Sequence, residues 1–466
     1  METDSNYQKK TILMVGYAYP PAGNFLSSLR LVKFTKYLPK YGWEPLVLCA
    51  SGAYESCEAD SLPPAETVRA YDIVGTAARL GGVAMADRIY RKETTRLHGI
   101  AADSHDLSNT RRLRLGFPKT KSFLRRQRIT LNRRLFVLLK EMLIPDHLIV
   151  WYPSAVITGS RTLRKRKVDA IYSTSPHFTN HLVAGRLAHR FKVPWVADFR
   201  DPWANSSLYP FGSWRRWIDT KIERWILRHA SQVITVSEGW KAQLTKTAPD
   251  MADKIAVIPN GFDHTDLTGL SHDTPTDRFV LSYCGEFHGG KRNPKSLLQA
   301  IAELNDRGKI NTENFKLVLI GGIEPQVVEL VKRFGISHLV EFTNYLAHRK
   351  ALARMAKSSF GLIITQTDEA AKGEMTTKFY EYLGMRLPIL ALTPKDFEMA
   401  QTIETMKLGM VIDPGDVKGI ATWINVQVSR FETNGSTQEF ELVDPMQFSR
   451  EAGASSLAAY LNKFAS

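Results

Sequence analysis

"FKLVLIGG" (residues 315–322) sets five apolar side chains around a single Lys316 and stops on two glycines. So continuous an apolar run offers no polar face to water. At this length it reads as a strand covered on both sides, the habit of parallel sheets. Gly321 and Gly322 then mark a tight turn off its carboxyl end, suited to close approach by a nucleotide or phosphate. Five runs of the same kind share the second half of the chain: "FVLSYCG", "VEFTNY", "FGLIITQ", "PILALT" and "GMVID". Six occupy the first: "TILMVGY", "PLVLCA", "AIYSTS", "WVADF", "QVITVS" and "IAVIP". Amphipathic stretches of helical period lie between them. This alternation predicts an α/β protein of two doubly wound, Rossmann-like domains with ligands at the strand carboxyl ends. The aperiodic "LTGLSHDTPTDR" (267–278) is the expected linker, setting domains at 1–272 and 273–444 with the site in the cleft between them.

The 466 residues are 44% hydrophobic and 23% charged, the balance of a globular chain. No apolar run reaches the roughly 18 residues a membrane span needs, and "METDSNYQKK" does not read as a signal peptide, so a cytoplasmic location is expected. Cys49, Cys57 and Cys284 form no CxxC pair, which points to free thiols and away from disulfides or zinc. The net charge of +15 is concentrated: residues 1–250 hold 39 Lys and Arg against 21 Asp and Glu. Such asymmetry predicts contact between the first half and a polyanion. The chain lacks a P-loop, a GxGxxG and any recognisable nucleic-acid motif, so an anionic membrane surface is favoured over nucleic acid. An insert at about 52–150 interrupts the strand–helix rhythm. Within it, residues 119–145 set Leu124, Leu131, Leu135 and Leu138 among Arg125, Arg126, Arg128, Arg133 and Arg134. That segment reads either as an amphipathic helix lying in a membrane interface or as one packed on the domain with a solvated basic face.

Several strand ends carry chemistry. "PPAGN" (20–24) turns from the first strand into a helix, where Gly23 would let backbone amides come close to a ligand. "STSPHFTNH" (173–181) ends another strand with His177 and His181 four apart, with no carboxylate or cysteine at metal-ligand spacing. "GEFHGGKRNP" (285–294) leads through glycines to Lys291 and Arg292; a departing diphosphate needs such cations and free amides. In "KGEMTTKFYEYLGMRLPIL" (372–390) the spacing of four and three puts Glu374, Lys378 and Glu381 on one helix face, with Phe379, Tyr382 and Leu383 packing inward. "VADFRDPW" (196–203) runs a strand into Asp198, Arg200 and Asp201. Alternation puts Asp198 and Arg200 on one side, as an ion pair holding the loop or as functional groups.

In their order along the chain these segments, with "VITVSEGW" (233–240) and "VIPNGFD" (257–263), resemble the GT-B glycosyltransferases, specifically the mostly retaining, nucleotide-sugar-dependent family 4. The resemblance implies that the Gly23 loop faces donor and acceptor. It implies that His177 or His181 hydrogen-bonds a sugar hydroxyl or phosphate, with helix capping as the alternative. Lys291 and Arg292 would meet the diphosphate, although Glu286 stands where many members carry arginine. Backbone near Tyr345 and Leu346 would read the base. Glu374 would meet the sugar and Glu381 the ribose, with Lys378 beside them; six residues separate these glutamates where the usual motif has seven. Asp201 is the preferred acceptor contact and Trp203 a possible sugar-stacking wall. The last helix, about 445–466, would cross back to the first domain. The implied activity is transfer of a sugar from a nucleotide diphosphate sugar to an acceptor hydroxyl, with retention and with neither metal nor cofactor. A glycan or lipid-linked acceptor and a peripheral place on the inner membrane face, in polysaccharide or lipopolysaccharide synthesis, fit the basic first half. The alternatives are a sugar-nucleotide epimerase of the same fold, a basic nucleic-acid-binding protein and a noncatalytic sugar-nucleotide sensor.

Overall fold

A computed structural model describes residues 9–20, 25–51, 65–72, 142–206, 209–270, 277–322, 324–435 and 444–464. All twelve apolar runs are strands. In the first half β1 (Lys10–Val15), β2 (Trp43–Ala50), β3 (Glu66–Ala70), β4 (Ala170–Ser175), β5 (Trp195–Phe199), β6 (Gln232–Thr235) and β7 (Ile255–Val257) form one sheet in the order β3-β2-β1-β4-β5-β6-β7. In the second, β8 (Phe279–Cys284), β9 (Phe315–Ile320), β10 (Val340–Phe342), β11 (Phe360–Ile364), β12 (Ile389–Leu392) and β13 (Gly409–Ile412) follow the order β10-β9-β8-β11-β12-β13. Every pairing is parallel. Each sheet starts at its middle, winds outward one way and then the other, so the order reverses between β1 and β4 and between β8 and β11. Connections diverge to opposite faces there and leave a crevice at the strand ends. β3, "ETVRA", was not expected: it lies in the insert, at a sheet edge, and is mostly half-exposed.

Helices α1 (Phe25–Tyr37), α2 (Tyr152–Lys165), α3 (Thr179–Phe191), α4 (Ser213–His229) and α5 (Glu238–Thr247) serve the first half. Helices α6 (Lys295–Asp306), α7 (Pro325–Arg333), α8 (His348–Met355), α9 (Thr377–Gly384), α10 (Glu398–Thr405) and α11 (Val417–Asn434) serve the second, and α12 (Arg450–Asn462) ends the chain. Alternate residues of each strand feed opposite cores. Leu13 and Val15 join Ala155, Leu187 and Leu227 beneath α2, α3 and α4. Ile12 and Met14 join Val32, Phe34, Leu457 and Leu461 beneath α1 and α12. The last helix therefore packs on the first half, its start capped by Ser449, which accepts from Ala452 N.

The two passes of chain between the halves run side by side: Arg450 N donates to Phe262 O (2.8 Å) and Phe262 N to Phe448 O (3.2 Å). Gly261 permits this approach, since a Cβ there would lie 2.3 Å from Phe448 O. At the other lip of the cleft, Ser237 Oγ donates to Gly373 O (2.7 Å) and Gln243 Nε2 to Ala370 O (2.9 Å). The Glu398 carboxylate accepts from the amides of Glu238 (3.0 Å) and Gly239 (2.7 Å), the first turn of α5.

Candidate active site

On the second half, the loops after β8 and β9 touch. Gly285 (φ 130°) and Gly321 (φ 129°) both adopt backbone that side chains disfavour, and a Cβ on Gly321 would stand 2.9 Å from Gly285 O. Glu324 clamps the first loop, accepting from the amides of Phe287 (2.9 Å) and Gly289 (3.4 Å). Lys378, in the first turn of α9, is buried beneath this loop. Its Nζ lies 4.4 Å from the centre of the Tyr283 ring and 3.0 Å from where a Gly285 Cβ would be. Arg292 is also buried and pairs with Glu374, whose other oxygen accepts from Gln366 Nε2 (3.4 Å).

The electrostatics follow from this crowding. Burial, then the neighbouring Arg292, lowers the Lys378 pKa to about 7. Burial also disfavours the Arg292 charge, but Glu374 outweighs it and the guanidinium pKa rises. Glu286 is pushed up to about 7 by burial and by Glu324, against the pull of Arg292 and Lys378. It is therefore only about half ionised at neutral pH, which moderates its repulsion for an anion. Glu381, near the end of α9, accepts from His348 Nε2 (2.9 Å) and lines a small cavity with Lys33, Asp263 and Arg450, where the two halves and α12 meet. Among the described residues no three His, Cys, Asp or Glu side chains converge on a metal-binding cluster.

On the first half, Asp198 is fully buried and its Oδ2 accepts from Arg30 Nε (2.8 Å), Thr174 Oγ1 (3.2 Å) and Tyr172 Oη. Arg30 is equally buried; its remaining nitrogens donate to Pro259 O (2.9 Å) and Ile258 O (2.8 Å). Asp201 is exposed at the end of β5. Desolvation by the surrounding walls raises its pKa, Arg200 opposes the rise, and Glu374 and Arg292 from the other half are near enough to contribute. The groups at the two facing sheet ends thus feel one another across the cleft.

Residues 33–261 match a Glycosyl transferase 4-like domain and residues 278–426 a Glycosyl transferases group 1 domain. The chain belongs to the family 4-like, group 1 glycosyltransferases. The fold of this glycosyltransferase is shared with solved structures of low identity. Anabaena Alr3699/HepE in complex with UDP and glucose is 15% identical, with a TM-score of 0.60 over 97% of this chain and all of the other. The apo lipopolysaccharide outer core galactosyltransferase WaaB is 13% identical at 0.53, over 97% and 99%. Sucrose-phosphate synthase (tll1590) from Thermosynechococcus elongatus is 13% identical at 0.53, over 98% and 95%. No curated protein sequence is a significant match.

The glycosyltransferase brings together Arg292, Lys378, Glu374, Gly285 and Gly321 much as their motifs suggest, and it corrects other expectations. Helix α9 begins at Thr377, so Glu374 precedes it and only Lys378 and Glu381 are helical. Lys291 is exposed at the loop tip and Gly322 half-buried beside Gly321, while the Tyr345 side chain is 68% exposed. The backbone beside it is partly engaged, Asn344 O accepting from Gly321 N (3.0 Å). The ion pair expected between Asp198 and Arg200 is made by Asp198 and Arg30. β5 stops at Phe199, so strand alternation no longer holds at residue 200, and Arg200 Nε donates to Ser175 O (2.6 Å). His181 cannot touch an acceptor: it is fully buried under the sheet, bonded to Ser173 Oγ (2.8 Å) and stacked on Phe199, and burial lowers its pKa to about 3. Trp203 is likewise no sugar wall, being buried and stacked on Phe178 with centroids 4.2 Å apart. His177 stays half-buried at the β4 end, edge-on to Tyr17 and His147 at the point where strand order reverses. Gly23 and residues 119–141 of the basic segment lie outside the described residues. Sequence reasoning missed Arg30, Tyr283, His348 and Arg450 altogether. Arg30 stands within α1, and no local pattern gives it a partner 168 residues away.

Proposed function

We propose that this glycosyltransferase moves a sugar from a nucleoside diphosphate sugar to a hydroxyl of a lipid-linked glycan acceptor, with retention of configuration, at the inner membrane face in polysaccharide or lipopolysaccharide assembly. One observation carries the donor site. Among the described residues the mostly buried Lys378 side chain has no carboxylate or hydrogen-bond partner for its ammonium, which stands over the Tyr283 ring and points at a glycine loop. A buried cation of that kind is costly unless an anion completes it. Arg292 beside it, the loop amides and the α9 N-terminus add positive potential where diphosphate charge grows on departure, a task that needs no divalent metal. Glu381 in its cavity takes the ribose, Glu374 the sugar, and Tyr345–Leu346 backbone the base. Asp201, opposite them, accepts a hydrogen bond from the acceptor hydroxyl, with His177 alongside.

HepE was crystallised with UDP-glucose, so UDP-sugars are the first donors to try. The expected result is transfer to a polyprenyl-linked acceptor in EDTA, with Asp201→Asn retaining donor binding and losing roughly 10²-fold or more in kcat. Sugar epimerisation without transfer, or donor binding without turnover of any kind, would overturn the reading in favour of an epimerase or a sensor.

Donor binding should also depend on pH. Lys378 is half-protonated near pH 7 in the free protein, and a diphosphate favours the ammonium. Affinity is therefore full below pH 7 and falls above it by up to about tenfold per unit, with uptake of a proton on binding. Titration calorimetry of UDP in buffers of different ionisation enthalpy checks the sign: proton release on binding at pH 8 would refute it.

A further inference from the structure

The layer formed by α2, α3 and α4 has an uncommon charge pattern. Those helices contain only two acidic residues, Asp219 and Glu223, and both are turned inward and buried. Asp219 is held by Arg215 and Tyr209, and Glu223 accepts from Trp203 N. What the layer shows to solvent includes Arg161, Arg164, Arg186, Arg190 and Lys221, with no acid on the three helices to offset them. On the same layer, near the start of α4, stand two large aromatics, Trp214 at 50% exposure and Trp217 at 65%. Lys221 Nζ lies 5.6 Å from the Trp217 ring. Isolated apolar side chains on a surface need no explanation, but paired tryptophans on an acid-free basic layer do.

We propose that this face docks on an anionic lipid bilayer. Indole rings settle at the headgroup level, with an apolar body and a polar N–H, while Lys and Arg draw the protein to negative lipid. The orientation is useful. The connection from β5 to α4 carries Asp201 and leads into the helix start where Trp214 stands, so that end of the layer borders the cleft. A surface seated there presents the cleft mouth to an acceptor whose lipid stays in the bilayer. This rests on the lipid-linked reading of the acceptor given above, and it assigns docking to elements other than the basic segment at 119–145. That segment's described end adjoins the layer, because Arg215 donates to Leu143 O (3.1 Å) and Pro145 O (2.6 Å).

The test is co-sedimentation of the full chain with phosphatidylcholine vesicles, with and without phosphatidylglycerol. The wild type is expected to bind only the anionic vesicles and to be released by salt. Trp214→Ala/Trp217→Ala should weaken partitioning about tenfold or more, and Arg186→Glu/Lys221→Glu by at least ~25-fold, at about fivefold per cation lost. Both variants should keep the wild-type melting temperature and UDP affinity, which separates loss of docking from failure of the donor-site reading. The proposal is overturned by undiminished sedimentation of the variants or by equal binding to neutral vesicles. Binding of the wild type to an oligonucleotide in place of vesicles would overturn it too, identifying the face as a nucleic-acid surface.

Discussion

Lys378→Met is expected to lower turnover by about 10²–10³-fold and, in the same protein, to raise the stability of the unliganded form. The loss follows from removing the cation that a departing diphosphate would meet; the gain follows from burial. Lys378 titrates at about 7 in the fold against 10.5 for an ordinary lysine. The unfolded chain therefore binds more protons between those values, and the wild type is stabilised as pH rises from 7 to 10.5, with the full penalty present below 7. The shift corresponds to on the order of 5 kcal/mol, of which relaxation and the lost Tyr283 contact should leave about 1–3 kcal/mol visible in the variant. Thermal melts at pH 7 and pH 10 give the readout, with the gain larger at pH 7. A variant that loses turnover and stability together would make Lys378 part of the scaffold and remove the main support for the donor site.

Arg30→Met should be the most damaging single change outside the donor pocket, costing about 3–5 kcal/mol. It leaves the Asp198 carboxylate buried with only Tyr172 and Thr174 as donors, and strips Ile258 O and Pro259 O of theirs. Those carbonyls begin the pass toward the second half, so the damage should reach domain placement as well as the core. Combining Arg30→Met with Asp198→Asn should recover a large part of the loss, because the uncompensated charge is gone. The urea midpoint of the first transition measures the cycle; additive losses would show that the pair contributes no coupling.

The strands were legible because they are buried on both faces, where an apolar run has no competing explanation. β3 was not, since an edge strand with half-exposed side chains carries no such signal. The grouping of Arg292 and Lys378 beneath the glycine loops was legible because chemistry and backbone demands coincide there, cations following glycines that a close turn requires. Partners distant in sequence were beyond reach, the Arg30–Asp198 pair above all. The spacing of His177 and His181 could not say which lies under the sheet, and the charged triplet of β5 could not say where the strand would stop. Composition told that the first half was basic; only the fold revealed that its two acids on the α2–α4 layer point inward.

The contact of Glu398 with the start of α5 has a kinetic meaning. It is a helix cap supplied by the opposite domain, so the far lip of the cleft is held by an interaction of the kind that contributes about 0.5–2 kcal/mol, helped by the Ser237 and Gln243 hydrogen bonds. A contact of that strength is within reach of hinge motions, which run on the microsecond-to-millisecond scale. Its release exposes the two amides to water, which can solvate them. On the proposed function, opening at the Glu398 lip would give spent nucleotide an exit that leaves the hydrogen-bonded double pass at Phe262 and Arg450 intact.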